Sequence, residues 1–274
     1  MDWQPFQDFL GRTHLLLLGA VLFGAMAVAA TVGTFLRGRW PTGGDSDGGQ
    51  DGYVVSAVLG LLALLMGFTF SLAVDRFDAR RLLVLEEANA IGTTYLRAQL
   101  LEEPHRSRMT QLLVRYTDNR IALAKARPGH TSQLVAVNDA LLTDIWAATS
   151  AAFEGIKGLP FASTYLDSIK GLIDLDASRK AARAARVPPE VFAVLILYMV
   201  VTAGVLGYVL KGVRGRLSGV FLLALLTLSL VLILDIDRPV GGGIFESQRP
   251  MEQLRNSFAS QPPTVFDKFK SGGP

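Results

Sequence analysis

GFTFSLAVDRFDARR, residues 67–81, is the stretch that decides the fold of this chain. It begins as the end of an apolar run and becomes charged at Asp75 and Arg76, with no glycine or proline after Gly67. Because glycine and proline are the residues that most often interrupt helices, the stretch predicts one unbroken helix. We therefore expect this helix to leave a bilayer and continue into a polar part of the same chain.

The composition narrows the class of protein. The chain has 274 residues, of which half are apolar, a formal net charge of +3 and no cysteine. The apolar fraction is high for a soluble domain, and scattered basic residues without a recognition motif give no support to nucleic-acid binding. The lack of cysteine excludes disulfides, thiolate metal sites and cysteine nucleophiles.

Four apolar runs are long enough to cross a membrane: residues 14–36, 53–74, 191–210 and 217–234. A helix rises about 1.5 Å per residue, so 18 to 20 residues reach across most of a hydrocarbon core of about 30 Å. The first run has a second interpretation as a cleaved signal peptide, but it is longer than the apolar part of a signal peptide and lacks a basic segment before it. The last two runs are expected to form a tight antiparallel hairpin.

The four crossings place both termini and the segment between the second and third runs on one side of the membrane. Basic residues are more frequent at the span ends on this side, which favours the cytoplasm. The sequence thus predicts an all-α fold with four transmembrane helices and a cytosolic helical domain between the second and the third. The expected divisions are 1–74 with the first two spans, 75–190 as the cytosolic domain, 191–234 as the hairpin, and 235–274 as a cytosolic strap and tail.

The segment 75–190 has the helical spacing of apolar residues from end to end, at first in Leu82, Leu85, Ala88, Ile91 and Tyr95. Breaks are expected before a helix that begins near Pro104, and again at 127–129, 158–160 and 187–189. Thr131 is expected to cap a helix that runs to about Ile156.

Two connecting segments are predicted to be irregular. Residues 37–52 are rich in glycine and aspartate and are interpreted as a flexible connection, since the later glutamate of a calcium loop is missing. After the fourth span, three glycines and two prolines predict a turn or strap rather than a helix, and the last dozen residues are expected to be disordered.

No catalytic, cofactor or metal motif occurs in the sequence, and its three histidines are not spaced as ligands, so an enzyme is not expected. Glu86 and Glu87 are interpreted as a solvated face or an inter-subunit salt bridge, because adjacent helical residues point about 100° apart. Asp235 and Asp237 end the fourth span. They are either buried carboxylates with a partner or a function, or markers of the water interface with Arg238 as the counter-charge.

A stripe on the second span consists of Gly60, Leu64, Gly67, Phe68 and Ser71, spaced by three and four residues. Small residues on a membrane helix commonly permit close packing against another helix. The same stripe is also typical of a pore wall with a hydrophobic constriction. From the residues alone, packing is the favoured interpretation.

Several stretches, taken in order, resemble bestrophins. In GFTFSLAVDRFDARR the pair Gly67-Phe68 precedes the pair Arg76-Phe77 by the interval found at the end of the second membrane helix of that family. RKAARAARVPPEVFAVLILY, residues 179–198, resembles the basic helix end and proline turn at which bestrophins return to the membrane. DIDRPVGGG, residues 235–243, stands where they have an acidic-Pro-Phe-Gly segment, and EEANAIGTTYLRA, residues 86–98, resembles the bacterial bestrophin-like branch.

The resemblance covers about residues 12–260 and implies a homopentamer in which the second helices line an axial pore. The three apolar neck positions of bestrophins fall on Phe68, Leu64 and Gly60, and a glycine cannot constrict a pore. The implied neck is therefore formed by Leu64 and Phe68, with Gly60, Gly67 and Ser71 along the path. Its cytosolic exit is expected at Asp75, Arg76 and Arg80.

The function implied by the resemblance is passive conduction of an anion, chloride above all, in a bacterial inner membrane. A ring of Asp75 carboxylates favours cations, so anion conduction requires this side chain to be paired sideways. The calcium-binding acidic cluster of animal bestrophins is missing after Gly243, and no cofactor is expected. The alternative is a non-conducting membrane scaffold or sensor of the same shape, whose cytosolic helices bind a partner.

Overall fold

The computed structural model describes residues 3–39, 48–126, 131–239 and 242–268. Within these ranges every regular element is helical and no strand is formed. In chain order the helices are α1 (Gln4–Arg12), α2 (Leu15–Arg39), α3 (Gly48–Ala98), α4 (His105–Lys125), α5 (Thr131–Ile156), α6 (Phe161–Ala184), α7 (Pro189–Val209), α8 (Gly212–Asp237) and α9 (Arg249–Ser260), with a short 3-10 helix (Pro263–Asp267) after them. The predicted all-α class is confirmed.

The long helix predicted from residues 67–81 is α3, which continues from its apolar half into its charged half without a break. The prediction of a continuous second helix is therefore confirmed. The connection expected at 37–52 is shorter than predicted, because α2 extends to Arg39 and α3 begins at Gly48. Residues 40–47, with two of the aspartates of this connection, lie outside the described residues.

Among the described residues, four helices are long and apolar enough to cross a membrane: α2, the first part of α3, α7 and α8. Their bounds contain or nearly match the four predicted runs. The start of α7 follows from its prolines. Pro188 has an extended backbone with a ψ of 132°, because the residue before a proline is disfavoured in the helical region, and Pro189 occupies the first turn, where no amide hydrogen is needed.

The chain forms two compact units. We call Met1–Phe77 with Arg186–Phe245 the first unit, and Asp78–Ala185 with Glu246–Pro274 the second unit. The first unit contains α1, α2, α7, α8 and the apolar half of α3, and the second unit contains the other helices and the charged half of α3. The predicted divisions at residues 74, 190 and 234, and their sides of the membrane, stay predictions.

In the first unit, α2 and α7 pack so closely that their backbones touch. A β-carbon added to Gly207 would lie 2.7 Å from the Cα atom of Ala30, and one added to Gly33 would lie 2.9 Å from the amide nitrogen of Tyr208. Small residues allow membrane helices to approach to this distance. Arg37 then donates a hydrogen bond of 3.2 Å to the carbonyl of Tyr208.

The second unit has a hydrophobic core of its own, whose largest fully buried side chains are Ile91, Met109, Leu113, Tyr116, Ile145, Tyr165, Ile169 and Leu172. Its helices begin after Pro104 and after the break at 158–160, as predicted. The break predicted at 127–129 lies outside the described residues. Thr131 is the first residue of α5 rather than a cap before it.

The prediction of a turn or strap rather than a helix after the fourth span is wrong from Arg249 onward, whereas the described residues 242–248 are not helical. Residues 249–260 form α9, and residues 263–267, which were expected to be disordered, form the 3-10 helix. Pro250 lies in the first turn of α9, where a proline does not break a helix. Met251 and Phe258 of α9 are buried in the core of the second unit, and Phe258 stacks on Tyr95 at 4.2 Å between ring centroids.

Candidate functional site

One face of α3 in the first unit is open, and the predicted pore residues lie on it. Gly60, Leu64, Gly67, Phe68 and Ser71 are all exposed, and the side chains of Leu64 and Phe68 retain 53% and 66% of their accessible surface. The opposite face carries Leu62, Met66 and Ala73, which are buried in the first unit. The helical spacing therefore separates a packed face from an unpartnered one.

The two glycines of this open face are not needed for packing within the chain. A β-carbon added to Gly60 or Gly67 would meet no atom within 4 Å in the part of the chain that the structure describes. This contrasts with Gly33 and Gly207, where helix contact leaves no room for a side chain. The lack of a side chain at Gly60 and Gly67 is therefore not explained by a contact within the described chain.

The three residues expected at the cytosolic exit are placed in different environments. Asp75 is exposed and Arg76 is half-buried. Arg80, in the second unit, is buried and its Nε atom lies 2.5 Å from Oε1 of Glu246. The guanidinium of Arg80 is therefore engaged inside the second unit, on the face of α3 opposite to the exposed side chains of Asp78 and Leu82.

The two aspartates after the fourth span hold nearby backbone in place. Asp237 is buried and accepts a hydrogen bond of 2.9 Å from the amide of Val187, at the turn that leads into α7. Asp235 accepts one of 2.7 Å from the amide of Gly243. Asp237 thus fits the first interpretation, a buried carboxylate with a partner, and its partner includes the main chain.

Arg238, the expected counter-charge of these aspartates, also binds the end of α1. Its guanidinium donates hydrogen bonds to the carbonyls of Leu10 and Thr13 at the end of α1, the latter at 2.8 Å. Carbonyls at the end of a helix have no partner within the helix, so a cation there satisfies them and meets the negative end of the dipole. Arg238 therefore fixes the amphipathic α1 to the end of α8.

A buried ionic cluster in the second unit is centred on Glu87, whose side chain has no exposed surface. The hydroxyl of Tyr116 donates a hydrogen bond of 2.6 Å to one carboxylate oxygen. Arg120 lies 3.0 Å away through its Nε atom, and Arg179 forms a further ion pair with the other oxygen. The interpretation of Glu87 as a solvated or inter-subunit residue is therefore wrong, whereas Glu86 is exposed as expected.

The cluster extends to a second carboxylate, Asp176. Its Oδ1 atom lies 3.0 Å from Arg120 and accepts a hydrogen bond of 3.0 Å from Asn138, and Oδ2 lies 2.7 Å from Lys180. α3, α4, α5 and α6 each contribute a member, so the cluster ties together four helices of the second unit. A buried charge that is both paired and hydrogen-bonded costs far less than an isolated one.

The electrostatics of the cluster favour its present protonation state. Burial raises the pKa of Tyr116 well above its usual value, and the charge of Glu87 raises it further, so the phenol stays neutral and donates. Burial lowers the pKa of Arg120, but the charges of Glu87 and Asp176 outweigh burial and the pKa is raised. Burial, and then repulsion by Arg179, lower the pKa of Arg183 at the edge of the cluster.

Sequence reasoning missed this cluster, although one signal was present. Glu87 falls three residues after Val84 and four before Ile91, both of which are buried. A carboxylate at this spacing between inward-facing residues indicates a buried ion pair, and its partners must then be sought on other helices. No group of three or more His, Asp or Glu side chains able to hold a metal is found among the described residues.

The model of the family described as bestrophin-like domain matches residues 24–246. A bacterial bestrophin homologue from Klebsiella pneumoniae has a similar structure, with a TM-score of 0.64, 14% identity and coverage of 95% of this chain and 100% of that one. A point variant of a bacterial bestrophin homologue from the same organism has a TM-score of 0.67 and 15% identity, with coverage of 91% of this chain and 97% of that one. No curated protein matches the chain.

Proposed function

The chain belongs to the bestrophin-like family and is an integral membrane protein, and from this premise we propose that it forms a homo-oligomeric ion channel. The observation that carries the proposal is the open face of α3. This face keeps Leu64 and Phe68 exposed and includes two glycines that no contact within the described chain requires, so several copies can bring it together around one axis. Five copies around one axis is the arrangement proposed from the resemblance to bestrophins.

In the proposed channel, Phe68 and Leu64 form the neck and the small residues of the same face form wider sections. A hydrophobic constriction stops ions by excluding water, so the narrowest rings set the conductance. Gly60 and Gly67 leave the path open next to the neck because they have no side chain. The neck is thus two rings long.

We propose anions, with chloride as the permeant ion, and a bacterial inner membrane with the second unit in the cytoplasm. Aromatic ring edges carry positive charge, so a ring of Phe68 side chains favours anions. A ring of exposed Asp75 carboxylates opposes them. Arg76 is the cation next to Asp75 in the sequence, and a sideways pair between neighbouring subunits would neutralise the ring.

The experiment is reconstitution into liposomes and planar bilayers, with single-channel currents and reversal potentials in a KCl gradient. We expect Phe68→Ala to raise the conductance or the open probability, because it removes the larger neck ring. Phe70→Ala is the matched control, since Phe70 is an exposed phenylalanine of the same helix turned about 160° from Phe68. It should leave the current unchanged.

Each part of the proposal has an outcome that would overturn it. A monomeric or dimeric protein in mild detergent has no axial pore. A protein that conducts equally well with and without the Phe68 ring has its conduction path elsewhere. If the protein is a pentamer but neither the wild type nor Phe68→Ala passes current, the alternative of a scaffold or sensor of the same shape is supported. If the reversal potential shows cation selectivity and Asp75→Asn shifts it toward anion selectivity, only the anion assignment is overturned.

A further inference from the structure

A cavity of about 360 Å³ lies between α2, α7 and α8 in the first unit. Its walls are mostly apolar and include Phe23, Ala27, Leu206, Val220 and Leu223. Ligand pockets generally measure about 300–1,000 Å³ and combine apolar walls with a few polar groups. The cavity meets both criteria, and it is separate from the open face of α3, which contributes none of its lining.

Small residues create this cavity. Ala27 and Ala30 of α2 line it with no more than a methyl group each, and Gly207 of α7 and Gly219 of α8 line it without a side chain. Gly207 permits the close contact of α2 with α7, and Gly219 faces Leu210, to which a β-carbon would come within 3.1 Å. The void is therefore a consequence of how three membrane helices approach each other.

The polar groups of the cavity lie together near one end of the membrane helices. Arg216 immediately precedes the apolar run 217–234, Leu210 ends the run of α7, and Thr34 is three residues before Arg37. The hydroxyls of the two lining threonines are already used, since Thr31 donates to the carbonyl of Val28 and Thr34 to that of Thr31, each at 2.7 Å. Arg216 is therefore the cationic donor at this rim, and it makes no ion pair with any described residue.

We propose that this cavity holds one acyl chain of an anionic phospholipid, whose phosphate binds Arg216. The lining helices are membrane-spanning, so acyl chains are the apolar molecules at highest concentration around the opening. A guanidinium at the interface matches the geometry and charge of a phosphate, and basic pockets between membrane helices are known binding sites for anionic headgroups. The inference requires only that α2, α7 and α8 span a membrane and does not depend on ion conduction.

The test uses the full-length protein in mild detergent, titrated with phosphatidylglycerol or phosphatidylcholine, with lipid binding followed by native mass spectrometry and by the apparent Tm. One interfacial Arg predicts about fivefold tighter binding of the anionic lipid. Arg216→Gln should remove this preference. Arg214→Gln, in the same basic turn but outside the cavity lining, should retain it. Ala27→Leu, or Val220→Phe if the former does not fold, should weaken both lipids.

Four results would overturn the inference. The wild type binds both lipids equally, or Arg214→Gln loses the preference as fully as Arg216→Gln, which indicates a general surface charge. Oleate binds as tightly as phosphatidylglycerol, which makes a free fatty acid the ligand. Finally, Ala27→Leu dissociates the oligomer without changing lipid binding, which makes the cavity a contact between copies.

Discussion

Replacing Glu87 by glutamine removes one charge from the centre of the buried cluster while keeping the size of the side chain. The amide oxygen of the new residue can still accept the hydrogen bond of Tyr116. Arg120 keeps Asp176 at 3.0 Å. Arg179 loses Glu87, its only carboxylate within ion-pairing distance among the described residues, and remains buried.

The magnitude follows from this unpaired cation. Removing one partner of a buried ion pair costs about 3–5 kcal/mol, and we expect that loss for Glu87→Gln. At roughly 2–4 °C per kcal/mol for domains of 150–250 residues, the apparent Tm should fall by about 6–20 °C. Thermal unfolding in detergent, followed by tryptophan fluorescence and circular dichroism, measures the shift.

Glu86→Gln is the matched control, because Glu86 is exposed, carries the same charge and precedes Glu87 directly. Its effect should stay within about 0.5 kcal/mol, as for most surface substitutions. The double variant Glu87→Gln with Arg179→Gln should recover part of the loss, since it removes the uncompensated charge. Equal Tm values for Glu86→Gln and Glu87→Gln would refute the reasoning, because the buried Arg179 would then not need the charge of Glu87.

Two further predictions concern Tyr116 and Gly207. The pKa of Tyr116 is higher in the folded state than its unfolded value of about 10. The neutral phenol therefore contributes its full stability below about pH 10, and this contribution is lost as the pH rises above that value. Tyr116→Phe should therefore cost about 1.5–3 kcal/mol at pH 8, and its Tm deficit relative to wild type should shrink between pH 10 and 11; a constant deficit contradicts the pKa argument. Gly207→Ala should lower the free energy of unfolding by about 1–3 kcal/mol, because the new methyl group meets the backbone of Ala30. The control Gly60→Ala should not lower the Tm, since no described atom lies within 4 Å of its added β-carbon. Equal Tm values for the two variants would contradict the close contact of α2 with α7.

The sequence predicts the membrane helices and α3, because length and hydrophobicity define them. It does not predict α9. The four apolar runs and the unbroken α3 depend on composition within one segment. α9 follows a glycine-rich stretch and contains Pro250, and both features predict a break rather than a helix. The sequence does carry a helical pattern there, since Met251 and Phe258 are seven residues apart and both are buried. Position within the helix, rather than the presence of proline, decides its effect.

The inward face of α3 in the second unit was predicted only in part. Ala88, Ile91 and Tyr95 are buried as the spacing suggests, but Leu82 and Leu85 are exposed. Both sides of this part of α3 carry apolar residues, so periodicity alone cannot say which side faces the core. Partners far away in the sequence determine which side of α3 faces the core. Glu87 is bound there by Tyr116 and Arg179, which follow it by 29 and 92 residues.

The exposed leucines of α3 bear on the proposed assembly. In the second unit Leu82 and Leu85 line an open groove of about 780 Å³, together with Asp78, Arg81 and Arg249. A soluble surface seldom exposes large apolar side chains beside paired charges unless it binds another surface. The open face in the first unit cannot be explained by lipid alone either, because lipid does not favour glycine over leucine. Each unit thus presents, independently, a face of α3 on which a second copy could pack, as the proposed oligomer requires.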